Sequence, residues 1–266
     1  MKAVSSDTGW FVTAFTACVV VFVLAPIVIV LAMSVSDSEL AIFPPSGFSL
    51  RWYDAVLSEP DFIKALGLSA SIAALATSAS LVLGIPASIG LVRYPFPGSR
   101  VVQNVLLLPL VFPGLITGLA LLKLFALAGS YDAFLNLLLA HVLVTFPYVL
   151  RTVTASLVLV DTSLEEAART LGASQFGVFR HVTLPQIMPG IFAGVIFAFI
   201  TSFDNFVVSL WLSGAGTVPL PILVFQHLAT AFDPSVAAEA SVMVAIGALA
   251  VVLLEWSVGL RRTAAH

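Results

Sequence analysis

Long uninterrupted apolar runs constrain this chain more than any other feature. Crossing a bilayer core about 30 Å thick takes roughly 20 residues of helix. Six stretches meet that length, at about 10–33, 65–92, 101–128, 133–160, 186–212 and 236–260. In lipid the backbone must satisfy its own hydrogen bonds, which leaves helices or closed barrels. The polar-apolar alternation of barrel strands is absent. The expected fold class is therefore an all-α integral membrane protein with six transmembrane helices and no soluble domain, residues 1–266 forming one membrane domain. The chain is 60% hydrophobic and 9% charged, against about 25% charged in ordinary soluble domains. A soluble core of 266 residues could not bury so much apolar surface, so the lipid bilayer is the expected solvent.

Pro26, Pro86, Pro109, Pro113 and Pro147 fall inside these runs and are read as kinks that neighbouring helices re-satisfy. The first run is uncharged from Thr8 to Ser36, too long for a signal-peptide core, and reads as an uncleaved helix. A formal net charge of −3 gives no reason to expect a nucleic-acid partner. The single cysteine, Cys18, excludes an intrachain disulfide framework.

Basic residues set the orientation. Six spans put Lys2, Arg93, Arg100, Arg169, Arg180, Arg261 and Arg262 on one side, and Arg51 with Lys64 at a helix mouth on the other. The positive-inside rule makes the first side, with both termini, cytoplasmic. On the outside, the Ser34–Asp61 loop holds Arg51, Trp52 and Tyr53, which suit a short helix at the membrane surface. The loop after the fifth span contains Pro219 and Pro221 and a short apolar part able to re-enter the membrane. Lone polar residues within or near spans read more simply. His141 suits packing or hydrogen bonding, Lys123 snorkels or pairs with an acid, and Glu255 reaches water near a helix end.

The cytoplasmic link "LEEAARTLGASQFGVFRHVTLP", within 161–185, is the most polar part of the chain. Ser163 followed by Glu166 is a capping-box pattern that opens a helix at about Leu164. Asp161 and Glu165 place negative charge at its N-terminus, and Gly172 can end it in a left-handed cap. Leu164, Ala167, Ala168 and Leu171 share one face, whose alanines let another surface come close. A second short helix fits about Ser174 to His181, and Pro185 fixes the entry to the fifth span. On these residues alone, the segment serves equally as a well-capped surface loop or as a docking element.

A longer pattern separates the two readings. Glu166-Ala167-Ala168, Gly172 after three residues, Val182 after nine more, then Leu184-Pro185 resembles the EAA loop of permease subunits in binding-protein-dependent ABC importers, with Val for the usual Ile. The stretches "GFSLRWYDAVL", "RYPFPGSR", "FPYVLRTVTASL" and "SFDNFVVSLWLSG" are similar to the spermidine/putrescine (polyamine) importer permeases. The resemblance implies a type I importer permease fold, with helices two to six as the core, the first outside it, and a cytoplasmic coupling helix. Coupling to the ATPase then falls on Glu165, Glu166, Ala167, Ala168, Arg169, Leu171, Gly172, Leu184 and Pro185. It also implies residence in a bacterial inner membrane and three kinds of protein partner. These are a second permease subunit (a different chain in the polyamine importers), a dimer of cytoplasmic ATP-binding subunits, and an extracytoplasmic solute-binding protein. ATP and Mg belong to the ATPase. This chain is expected to bind no cofactor or metal, and it lacks the Walker A pattern.

Asp204 lies within the fifth apolar run, where an ionisable group costs roughly 3 kcal/mol at mid-bilayer. Ser202, Phe203, Asn205 and Phe206 surround it. Carboxylate and aromatics together suit an ammonium ligand, so these five residues are the candidate substrate path. Asp204 can equally hydrogen-bond a neighbouring helix and fix packing. The polyamine permeases often carry a second acid where this chain has Asn205, which leaves other amines, amino-acid derivatives, opines or inorganic anions open as cargo. An integral-membrane enzyme is the opposing class. With no H-E-x-x-H cluster, G-x-S-x-G elbow or repeated acid, catalytic residues are not expected.

Overall fold

The computed structural model describes residues 6–230 and 233–263. Lys2 lies outside the described residues, as do the side chains of Glu255, Arg261 and Arg262. Among the described residues every regular element is helical: α1 (Ser6–Ser34), α2 (Arg51–Ser58), α3 (Pro60–Arg93), α4 (Ser99–Leu107), α5 (Gly114–Leu127), α6 (Ala133–Val158), α7 (Thr162–Thr170), α8 (Gln175–Val178), α9 (Leu184–Phe203), α10 (Phe206–Leu212), α11 (Leu220–Thr230) and α12 (Ser235–Thr263). Five helices are long and apolar enough to cross a membrane, and one bent pair raises the number to six.

Two apolar runs read as single spans are broken. The stretch read as 101–128 bends by 101° between Ser99–Leu110 and Gly114–Leu127. Pro109 and Pro113 each remove a backbone donor within one turn, and Pro113 disfavours helical geometry at Phe112, so the ladder fails instead of kinking. The run read as 186–212 starts earlier and stops sooner. Helix runs continuously from Gln175 to Phe203 through a π turn at Phe179–Thr183, where the Leu184 amide donates to the Phe179 carbonyl. This wide turn takes up the offset created where Pro185 lacks an N–H. Pro185 therefore sits inside a continuing helix, well past its first turn, and the separate second helix expected near Ser174–His181 is its opening. At the other end Asn205 accepts from the Val208 amide at 3.0 Å and starts α10 as a new helix.

Packing divides the chain, read from sequence as one domain, into two compact units: Met1–Phe62 with Val224–Ala245, and Ile63–Leu223 with Ile246–His266. In the first, α1 is largely apolar and exposed along 10–24, with Phe22 79% exposed, the pattern of a helix bathed in lipid. The short helix expected at Arg51–Tyr53 is present as α2. It is tied back by Tyr53 to Ser34 at 2.7 Å and by the Trp52 indole N–H to the Ser36 carbonyl at 3.0 Å.

In the second unit α6 is the axis. Its Val149, Val153 and Leu157 are fully buried with Ile187 and Ala198 of α9. The two helices come close because α9 presents Gly190 and Gly194 one turn apart. A Cβ at Gly190 would lie 2.6 Å from the Thr152 carbonyl, and one at Gly194 would lie 2.8 Å from Thr152 Oγ1. This is the small-xxx-small contact of membrane helices. His141, fully within α6, bonds Ser202 of α9 at 2.7 Å and Ser209 of α10 at 3.1 Å, the packing role expected of it.

Candidate functional site

The polar segment begins at Asp161, whose carboxylate caps α7 by accepting from the Ser163 amide at 2.9 Å. The sequence reading gave this role to Ser163. An ionised carboxylate two residues earlier is the stronger cap, so the helix opens sooner and Ser163 becomes its second residue. Hydrogen bonds from the Ser163 side chain and backbone hold the Asp161 carboxyl below the usual carboxylate range. Gly172 closes the helix at φ +87°. Ala173 donates to the Ala168 carbonyl at 3.0 Å and Gly172 to that of Arg169 at 2.9 Å, a Schellman cap and the left-handed stop the sequence calls for.

Two adjacent glutamates differ in burial. Glu165 is buried, at 6% exposure. It accepts from Arg93 of α3 at 2.9 Å and from Thr183 of the π turn at 2.8 Å. Gln175 donates to the Tyr94 hydroxyl at 3.0 Å alongside. Through these bonds α7 is fastened to the ends of α3 and α9, over a polar hollow of about 360 Å³. Glu166 points out. With Asp161 serving as cap, the Glu166 carboxylate caps nothing and is exposed beside Ala167 and Arg169. Leu164, Leu171 and Phe176 are 51%, 87% and 68% exposed, an apolar surface around an acid at the tip of the segment. Ala168 is half-buried and Leu184 packs on the α6–α9 core, while Pro185 is exposed. Of the nine residues assigned to coupling, Glu165 and Leu184 hold the segment in place. Glu166, Ala167 and Leu171 make its outer face.

A second feature lies between the two helix breaks. The loop joining α4 to α5 and the Asp204–Asn205 break after α9 line one cavity of about 520 Å³, with Thr117, Tyr148 and Thr201 on its walls. Asp204, Asn205 and Phe206 belong to this lining. Ser202 and Phe203 do not. Ser202 is turned into the core onto His141, and buried Phe203 stacks on Phe199. Among the described residues no hydrogen bond or ion pair reaches the Asp204 carboxylate, which is exposed to the cavity. It sits at the C-cap of α9, so the negative end of that helix adds to its own charge. Phe112, Tyr148 and Phe206 supply aromatic surface. Irregular backbone opening onto a polar cavity inside an apolar protein is where membrane proteins place a solute path.

Arg93, Thr183, Phe112 and Tyr148 were missed as site residues. Arg93 had counted only as a cytoplasmic charge, although an arginine ending one span beside an acidic link is a pairing signal. Tyr148 had a signal too, as a hydroxyl in an apolar run. Thr183 had none.

Residues 3–260 match the family described as binding-protein-dependent transport system inner membrane component. The putrescine transport system permease protein PotI of Escherichia coli (strain K12) is 38% identical over 238 residues, covering 87% of this chain and 84% of the relative. The spermidine/putrescine transport system permease protein PotC of Haemophilus influenzae is 32% identical over 240 residues, covering 90% and 93%. Among solved structures, a bacterial ABC transporter involved in importing the acidic polysaccharide alginate superposes at TM-score 0.66 with 17% identity, covering 97% of this chain and 99% of that one.

Proposed function

The chain belongs to the family of binding-protein-dependent transport system inner membrane components, and on that footing we propose that it is the permease half of an ATP-driven importer whose cargo is a polyamine or a related organic amine. It is a membrane permease subunit and not a soluble module. The cavity beside Asp204 is its share of the solute path. One observation carries the cargo class. An unpaired carboxylate at the negative end of α9, walled by aromatic rings, attracts an ammonium group by charge and by cation–π contact and repels an anion. The names of its putrescine and spermidine relatives support the same class.

The remaining parts of the machine follow from the family. A second permease subunit, a different chain, completes the path. An extracytoplasmic binding protein delivers the solute, and two cytoplasmic ATP-binding subunits receive α7. ATP with Mg, held by those subunits, supplies the energy. What this chain does is mechanical. Leu164, Ala167 and Leu171 seat in the partner, Glu166 engages it, and the Arg93–Glu165–Thr183 lock passes the displacement into α3 and α9, the latter ending at Asp204. The termini and α7 lie on the cytoplasmic side.

The test is ATP hydrolysis by the reconstituted complex with its binding protein, screened across putrescine, spermidine, an opine, molybdate and sulfate. Stimulation by the amines is expected. Stimulation by the anions alone contradicts the cargo reading and returns Asp204 to a packing role.

A further inference from the structure

We propose that Glu59, His227 and Glu239 form a binding site for one divalent transition-metal ion of the Zn²⁺ type. All three belong to the unit made of Met1–Phe62 and Val224–Ala245. Glu59 lies at the junction of α2 and α3, His227 in α11 and Glu239 near the start of α12. One ligand atom from each lies within 4.8 Å of the other two. The site stands apart from α7 and from Asp204 in the chain, and nothing in the transport reading uses it.

The buried carboxylate of Glu239 carries the inference. Its side chain is 1% exposed. His227 Nδ1 lies 2.6 Å from Oε1, but Oε2 is buried with no hydrogen-bond partner. A charged oxygen left unpaired away from water is among the costliest arrangements in a folded protein. Ionised Glu59 is an acceptor only, so it gives no hydrogen bond to an ionised Glu239. Asp233 is occupied elsewhere, accepting from the backbone and hydroxyl of Ser235. A cation enclosed by the three groups neutralises the orphaned oxygen and the like charge of the two glutamates in one step.

Ligand chemistry sets the class of ion. Ca²⁺ and Mg²⁺ take oxygen ligands, whereas one imidazole nitrogen with two carboxylate oxygens suits Zn²⁺ and its neighbours. Three protein ligands leave a fourth position for water. Glu59 is half-buried with no hydrogen bond on its carboxylate, so it can draw in to the bonding distance of about 2.0–2.2 Å. His227 binds the ion as neutral imidazole through Nδ1, with its proton on Nε2. Once bound, the ion cross-links the α2–α3 junction to α11 and α12.

The experiment uses the full chain in lipid nanodiscs, free of polyhistidine tag and stripped by chelation, titrated with Co²⁺ as a spectroscopic stand-in for Zn²⁺. One equivalent with visible d–d bands, displaced by Zn²⁺, is expected. His227→Gln and Glu59→Gln should each weaken binding at least tenfold, and Glu239→Gln at least as much. If Glu239→Gln does not assemble, the two less buried substitutions still decide the matter. No stoichiometric uptake, uptake of Ca²⁺ or Mg²⁺ but not Co²⁺, or unchanged affinity in both His227→Gln and Glu59→Gln overturns the site.

Discussion

Glu165 and Glu166 are neighbours of one chemistry, one buried and bonded and the other exposed, and the different work proposed for them is measurable. Removing Glu165 leaves Arg93 without its partner and Thr183 without its acceptor, a loss of about 1–3 kcal/mol for charge-assisted bonds of this burial. Glu165→Ala should lower the melting temperature of the purified chain and speed amide exchange across α7. Glu166→Ala should leave the melting temperature within about 1–2 °C, as surface substitutions usually do, and abolish solute-stimulated ATP hydrolysis in the complex. The reverse assignment of stability and coupling would refute this division. At Asp204, Asn keeps shape and removes charge. Asp204→Asn should raise the amine concentration needed for half-maximal uptake about tenfold, roughly 1.4 kcal/mol, while the chain assembles normally. Asp161 has a pH signature. Its folded carboxyl is held low, so its cap is complete above the ordinary value of 3.8 and is lost as pH falls through the lowered one. Amide exchange in the first turn of α7 should therefore accelerate only below that range.

Helix pairs, more than single residues, place the cavity beside Asp204. The α6–α9 contact depends on Gly190 and Gly194, where a side chain would strike Thr152 and Ser156. Gly190→Val and Gly194→Val should each cost about 1–3 kcal/mol by overpacking, seen as a lower melting temperature and reduced assembly. Gly98→Ala, in open space but at φ +89°, should cost less. The elements divide sharply in what sequence could show. The long helices were legible because lipid enforces length and apolarity together. The caps of α7 were legible within two residues, since Asp161, Ser163 and Gly172 all carry local signals. The breaks were not. Pro26, Pro86 and Pro147 lie in helices that continue, while Pro109 and Pro113 end one. Whether neighbours can re-satisfy the freed carbonyls is a tertiary question. The stop at Asp204 has the same character, because only the structure shows Asn205 turning its side chain to begin α10. Ser202 went to the path on sequence adjacency, and the helical turn carried it onto His141 instead.

For the molecule as a whole, exposure tells where other bodies belong. The exposed stretch of α1 along 10–24 is largely apolar, as lipid requires. Exposed Leu164 of α7 and Leu171 just past its end flank a glutamate, which suits a protein partner with both an apolar cleft and polar groups. The family was legible because its pattern combines charge, small residues and a proline at fixed spacing over twenty positions, a combination that lipid solvation alone does not produce. The cavity was less so, since it forms only where the breaks of two distant helices meet. The central claim is that α7 transmits ATP-driven motion to an amine path. The most direct measurement is uptake of labelled putrescine into proteoliposomes holding the complete complex with its binding protein, for the native chain and for Glu166→Ala. ATP-dependent uptake by the native complex, lost in Glu166→Ala although the complex still assembles, is the predicted result. Equal uptake by both, or native uptake that does not require ATP, would contradict the account.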